Sequence, residues 1–243
     1  LAALVNCSLV PSADVEMTST AIVGRYRIDE NFSVLGGINR YSVSDATVQT
    51  LSGYYEVAGD QLVPMAGAAY ENKEIALRVE LLVQTETDVD LTASSSLHPN
   101  PLVDPTAPTS LTGATMVIPQ TLTLNFQSGI AEDTLMFGSI HKAEWDSAQI
   151  SIPENTNHAS GNVDSVTSSF SNKTSYSIGV GRKLNESISV LGSYSSEGGG
   201  GSTSTDAFTL TDGSKTLALG ARYTKDNMTI SGGYSYTKVG DVT

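Results

Sequence analysis

The residues best suited to chemistry in this chain are carboxylates and one arginine, set on alternate positions of a single extended segment. Glu86, Asp88 and Asp90 lie two apart, so in a strand they share one side, where three carboxylates could hold a hard cation such as calcium. The glycine and the terminal bidentate glutamate of a calcium loop are missing, a solvated acidic rim accounts for the same residues, and no metal is assigned. Arg78 is the group able to pair with a ligand carboxylate through a charge-assisted bond; the competing partner is Glu80 on the same side. His98, His141 and His158 have no nucleophile motif beside them and no Gly-x-Ser-x-Gly elbow occurs. Cys7 permits no internal disulfide, and the scattered histidines form no zinc pattern. The expectation is a protein that is not an enzyme and uses no cofactor, with an esterase barrel as the distant alternative.

Composition narrows the class. The formal net charge is −13 with 13 basic residues, which excludes nucleic acid as a partner, because affinity for it comes largely from Lys and Arg neutralising phosphates. Hydrophobic residues make up 39% and no apolar run reaches the ~18 residues of a spanning helix. A barrel escapes that test, since only every second residue of its strands meets lipid. No change of composition marks a second domain, so residues 1–243 read as one partial barrel domain. Leu1 to Val5 is too short for a signal peptide and lacks a basic start; an exported protein is therefore expected to carry more chain upstream.

The elements that position these residues are ten stretches of alternating polar and apolar character. Short turns are expected at Asp29-Glu30, Asn72-Lys73, Ser128 to Glu132, Leu184 to Glu186 and Lys225 to Asn227. Much longer connections are expected over 44–61, 93–113, 151–173 and 198–214. Alternately short and long connections are the mark of a transmembrane up-and-down barrel, with tight periplasmic turns and long outer loops. The fold class is accordingly all-β, a transmembrane antiparallel up-and-down β-barrel.

Alternation assigns the faces. In a strand read over 75–91, Leu77, Val79, Leu81, Val83, Val89 and Leu91 share one parity, and Arg78, Glu80, Gln84, Glu86, Asp88 and Asp90 the other. The first set is expected to meet lipid and the second the lumen. The next strand sets Met116, Ile118, Leu122, Leu124 and Phe126 against Thr121, Thr123, Asn125 and Gln127. Later strands place Ser, Thr and Gly opposite Ile, Val, Met and Tyr, which suits a wet lumen better than a soluble core. In 133–145 Leu135 and Phe137 are odd while Met136 and Ile140 are even, which leaves its faces open. Pro64 forbids one ladder bond and predicts a bulge or kink in 62–71, a way to open a side exit for an apolar ligand. Tyrosines near strand ends, among them Tyr26, Tyr176, Tyr194 and Tyr236, fit either an aromatic girdle or plain strand preference. Gly36-Gly37 and Gly232-Gly233 fit sheet curvature. Pro99, Pro101, Pro105 and Pro108, and the glycine run from Gly198, read as exposed coil.

Several segments in order carry a family resemblance: Ala66 to Glu71 followed by Glu74 to Val79, Ile118-Pro119-Gln120 with Phe126 to Ile130, Thr134 to Ser139 leading to Trp145, and Gly179 to Lys183. The chain resembles the FadL-type outer-membrane transporters of long-chain fatty acids and other hydrophobic compounds. The resemblance implies a barrel of roughly fourteen strands plugged by an N-terminal hatch. The ten strands here would then be the fourth through the thirteenth, without the hatch and without the closing strand. In the family the tight pocket depends on the hatch, so this chain is left with lumen-wall contacts, for which Arg78, Glu80, Gln84, Asn125 and Gln127 are the candidates. The implied function is passive uptake of hydrophobic compounds such as fatty acids by a monomer in the outer membrane of a Gram-negative bacterium, with outer-membrane lipid as its surroundings. The rivals are a general diffusion porin and a structural or adhesive surface β protein.

Overall fold

A computed structural model describes residues 12–49, 53–97, 110–111, 114–157, 162–199 and 212–241. Cys7, His98, His158, the four loop prolines and most of the 198–214 connection lie outside the described residues. In chain order the strands are β1 (Ser12–Arg27), β2 (Phe32–Gln49), β3 (Gly53–Asn72), β4 (Leu77–Gln84), β5 (Thr87–Asp90), β6 (Thr92–Leu97), β7 (Ser110–Leu111) and β8 (Thr115–Ile118). They continue with β9 (Thr121–Ala131), β10 (Thr134–Ala143), β11 (Ile150–Asn157), β12 (Asn162–Thr167), β13 (Lys173–Lys183), β14 (Ile188–Glu197), β15 (Ser214–Lys225) and β16 (Met228–Val239). Among the described residues no helix is long and apolar enough to cross a membrane.

Ten of these strands form one antiparallel wall in the order β1-β2-β3-β4-β9-β10-β13-β14-β15-β16, matching the ten read from alternation. The short turns use the chemistry that tight reversals need. Asp29 Oδ1 accepts from the backbone N–H of Asn31 at 2.8 Å and of Phe32 at 2.7 Å. Asn185 Oδ1 does the same for Ser187 and Ile188, both at 2.9 Å. Asp133 and Asp226 take φ of 54° and 51°, the left-handed region that Asp tolerates better than most side chains. The turn expected over Ser128 to Glu132 sits later, at Glu132-Asp133, because β9 runs on to Ala131.

Register makes the two faces explicit. One row runs Tyr26, Val34, Ala68, Leu81, Leu124, Ile140, Tyr176, Ser196, Lys215, Lys238 across all ten wall strands. On the other face a row runs Arg27, Ser33, Ala69, Glu80, Asn125, Ser139, Ser177, Ser195, Thr216, Thr237. Leu81 is 41% exposed whereas Glu80 is 8% exposed. Polar residues on the concave face and large apolar ones outside invert the order of a water-soluble protein. Each row climbs from the short-turn end of β1 to the long-connection end of β16, the stagger by which strands tilt around a barrel.

At the long-connection end the structure departs from coil. Of the 44–61 connection, residues 44–49 continue β2 and residues 53–61 continue β3, in register apart from a shift between Val43 and Ala46. Within 93–113, β6 pairs with β3 and with β7, and within 151–173 the chain forms β11 and β12. A second sheet, β12-β11-β8-β5, brings β5 and β8 against the inner side of the β2-β3 extension. The core lies there: Val43, Val48, Tyr55, Val57 and Val63 pack with Val89, Leu91, Met116 and Ile118. Gln149 ties the next connection, donating to Trp145 O at 2.7 Å and Phe170 O at 2.9 Å, beside the edge-on rings of Trp145 and Phe170.

Three expectations are corrected by this arrangement, and one open assignment is settled. The segment 75–91 is not one strand. Lys73–Ile75 is a single 3₁₀ turn, β4 ends at Gln84, and β5 leaves the wall for the second sheet. Val89 and Leu91 are therefore core residues rather than lipid-facing ones. Met116 and Ile118 are likewise buried in that core, because β8 ends before Pro119, which has no N–H to continue a ladder. Pro64 sits in unbroken register with Ile38, and the bulge occurs at 43–46 instead. The faces of 134–143 are settled by pairing: Leu135, Phe137, Ser139 and His141 point inward with Gln127, Asn125 and Thr123.

The outer row yields a stability test. If the outer row meets lipid, as the sequence expectation has it, Leu81→Arg should cost ~2–4 kcal/mol in a urea-unfolding titration of the folded protein in lipid vesicles, while Leu81→Phe should leave the midpoint almost unchanged.

Candidate functional site

The inner face divides into two halves of different chemistry. Along β1 to β9 it is a chain of charge-assisted contacts. Arg25 donates to Ser33 Oγ at 2.8 Å and pairs with Glu71 at 2.9 Å; Glu71 also faces Arg78 Nε at 3.5 Å. Arg78 pairs in turn with Glu80, whose other oxygen accepts from Asn125 Nδ2 at 3.3 Å. Alternating signs across adjacent strands offset the cost of placing charge on a partly dehydrated wall.

Of the five residues expected here, Arg78, Glu80 and Asn125 join in this one network. Gln84 stands apart, accepting from Tyr41 Oη at 3.0 Å and donating to Pro119 O at 3.5 Å. Gln127 donates to Ala76 O at 3.5 Å, bracing the turn rather than the network. Arg25, Glu71, Ser33 and Tyr41 belong to the same polar face and were not among those five. Their partners lie on other strands, so no local spacing announces them. Among the described residues no three His, Cys, Asp or Glu side chains converge to hold a metal.

Along β10 to β16 the inner face carries small side chains, with serine and threonine at the long-connection end and a mostly apolar patch toward the short turns, where Ser189 and Ser231 are the small polar members. A cavity of about 640 Å³ is lined by Leu135, Phe137, Gly181, Leu191, Gly220 and Gly233, with Asp133, Lys183 and Arg222 at its short-turn end. Glycine makes the room. A Cβ on Gly179 would lie 2.5 Å from Cζ of Phe137, and one on Gly220 would lie 3.2 Å from Cγ of Leu191. The sequence did carry a signal for this patch: the mixed parity of 133–145 arises because Leu135 and Phe137 face the lumen.

The wall between β3 and its next neighbour is interrupted. β4 pairs with residues 65–72 of β3 and β6 with residues 53–58, so 59–64 have no strand partner on that side among the described residues. Across the interval Gln61 Nε2 donates to Asp88 O at 3.1 Å and Thr85 N to Pro64 O at 3.4 Å. Leu62 faces outward there, and Val63, Asn39 and Gln84 are buried on the inner side. Pro64, whose missing N–H cannot extend a ladder, stands where the β4 pairing stops.

Solved structures share this arrangement. A FadL homologue from Pseudomonas aeruginosa superposes with a TM-score of 0.70 at 14% identity, over 93% of this chain and 60% of that one. The chain has the FadL-type barrel fold. The toluene transporter TodX of Pseudomonas putida matches with a TM-score of 0.52 at 10% identity, over 93% of this chain and 69% of that one. The CymD monoaromatic hydrocarbon channel matches with 0.51 at 12%, over 94% and 72%. At such identities the likeness is one of fold, and the chain spans three fifths of the length of the FadL homologue. No family model and no curated protein matches the sequence. In this barrel fold the polar row faces inward and the apolar row outward.

The polar half gives a second stability test. Glu80→Ala removes the shared partner of Arg78 and Asn125 and should cost about 1–3 kcal/mol in vesicle unfolding titrations, against less than about 0.5 kcal/mol for Glu74→Ala at the exposed turn.

Proposed function

We propose that the chain is the wall of a passive outer-membrane channel for hydrophobic compounds, acting as a single barrel domain, as a monomer, without cofactor and without catalysis. The observation that carries this reading is the apolar, glycine-floored cavity on the inner face, in a lumen whose opposite half is charged. A porin needs water-filled space lined by polar groups; an apolar recess there serves only a solute with apolar surface to bury. The fold supports the reading too, because the neighbours with the same barrel are described as toluene transporters, a monoaromatic hydrocarbon channel and a FadL homologue. A Gram-negative outer membrane is the setting in which such barrels reside.

Within that class a long-chain fatty acid is the proposed solute. Its chain would lie along Phe137, Leu191 and the glycines, and its carboxylate near Lys183 and Arg222, neither of which has an ion-pair partner among the described residues. Arg78, Glu80, Gln84, Asn125 and Gln127 are proposed as the polar wall past which the solute moves. Arg78 is a poorer carboxylate partner, since it already faces Glu71 and Glu80. The interruption at 59–64 is the proposed side exit, because an apolar solute leaving there enters lipid without crossing water.

The test uses the full natural chain in liposomes. Uptake of a fluorescent fatty acid should exceed that of empty vesicles, and Gly220→Leu, which fills the cavity, should lower it roughly tenfold while the folded barrel persists on heat-modifiable gels. A disaccharide should cause no swelling. Swelling with sugar and no fatty-acid uptake would instead make the protein a general porin. An epitope at Gly199 should stain intact cells and one in the 185–186 turn should not.

A further inference from the structure

The outer apolar band ends, at the long-connection side, on two lysines set directly opposite each other. Lys215 of β15 pairs with Lys238 of β16, and both are exposed. They share a parity with Leu217 and Leu219, and with Tyr234 and Tyr236, so their stems leave the wall on the lipid side. Neither ammonium has an ion pair or a hydrogen bond among the described residues. Like charges directly opposite on neighbouring strands are destabilising, and an anion between them would relieve the repulsion.

The surroundings suit one. The two lysines border a recess of about 310 Å³ whose floor includes Gly198, Gly213 and Gly240. Its carboxylates are turned to other donors: Glu197 accepts from Ser175 Oγ at 2.9 Å and Asp212 from Lys173 Nζ at 3.3 Å. Tyr176 lies in the same outer row, and Tyr194 and Tyr236 lie two residues further toward the short turns, all exposed. Amphipathic rings at this height mark the interface between hydrocarbon and headgroups, where lysine stems lie along apolar surface and hold their charge in the polar layer.

We propose that Lys215 and Lys238 form a docking site for the anionic phosphate headgroup of a bilayer lipid in the leaflet at the long-connection end. The proposal rests on the reading that the chain spans an outer membrane. Lys142, also on the outer face near that border, is already paired with Glu144 at 2.8 Å and takes no part.

The test is native mass spectrometry of the full natural chain released from micelles doped equally with phosphatidic acid and phosphatidylcholine. Phosphatidic acid should be retained preferentially, and the preference should fall about fivefold for each lysine removed in Lys215→Gln and Lys238→Gln. It should persist in the Lys215→Arg/Lys238→Arg pair and in Lys142→Gln. Equal retention of both lipids by the natural chain, or unchanged preference in the Gln variants, overturns the docking site alone when the protein still shows heat-modifiable migration. A natural chain that forms no heat-resistant barrel overturns the membrane reading and this proposal with it.

Discussion

Everything in this fold depends on pairing the wall's backbone groups between strands. In hydrocarbon an unpaired N–H or C=O costs several kcal/mol, so strands that cross must be bonded on both sides. The continuous order from β1 to β16 supplies this for the eight strands between the two ends of the wall, except along residues 59–64 of β3. Once the ladder is set, side chains have only two directions to go, and in the proposed membrane setting lipid on one side with water on the other fixes what each direction can carry. That is why Leu81 faces outward beside a buried Glu80, and why serine and threonine pairs such as Ser139-Ser177 and Thr216-Thr237, with hydroxyls 2.8 and 2.9 Å apart, suffice on the inner face.

The places where the ladder stops are the places with character. β4 gives up its partner at Gln84 and the chain turns inward through β5 to build a core over the lumen. Pro64 and Pro119 stand at that break, one on each side, and neither can donate to a continuing ladder. The consequence is a wall interval at 59–64 next to a packed internal sheet. On the opposite side, where β10 to β16 stay in register, the wall is complete and the glycines carve an apolar recess into it.

Much of this was legible in the residues. Alternation identified the ten wall strands and set the faces of Leu77 to Gln84, Leu122 to Gln127 and Tyr176 to Val180 correctly, because period two survives wherever one face meets lipid. It failed beyond Gln84 for a physical reason. Val89 and Leu91 keep the same parity as Leu81, yet a strand buried in a small core and a strand facing lipid show the same pattern. Phe137 and Leu135 could not be placed because an apolar recess inside a polar lumen breaks the pattern that marks the lumen. The Arg25-Glu71-Arg78-Glu80 chain joins three strands, and only register brings its members together.

The central claim is that hydrophobic solutes travel inside the wall, on the β10 to β16 side. The most direct measurement is photolabelling of the full natural chain in vesicles with an alkyl diazirine, mapped by mass spectrometry with and without excess unlabelled fatty acid. The account predicts adducts at Phe137 and Leu191 that the fatty acid competes away, beside adducts at Leu217 and Leu219 that it does not. Labelling confined to the outward residues, or inner labelling indifferent to competition, would contradict it.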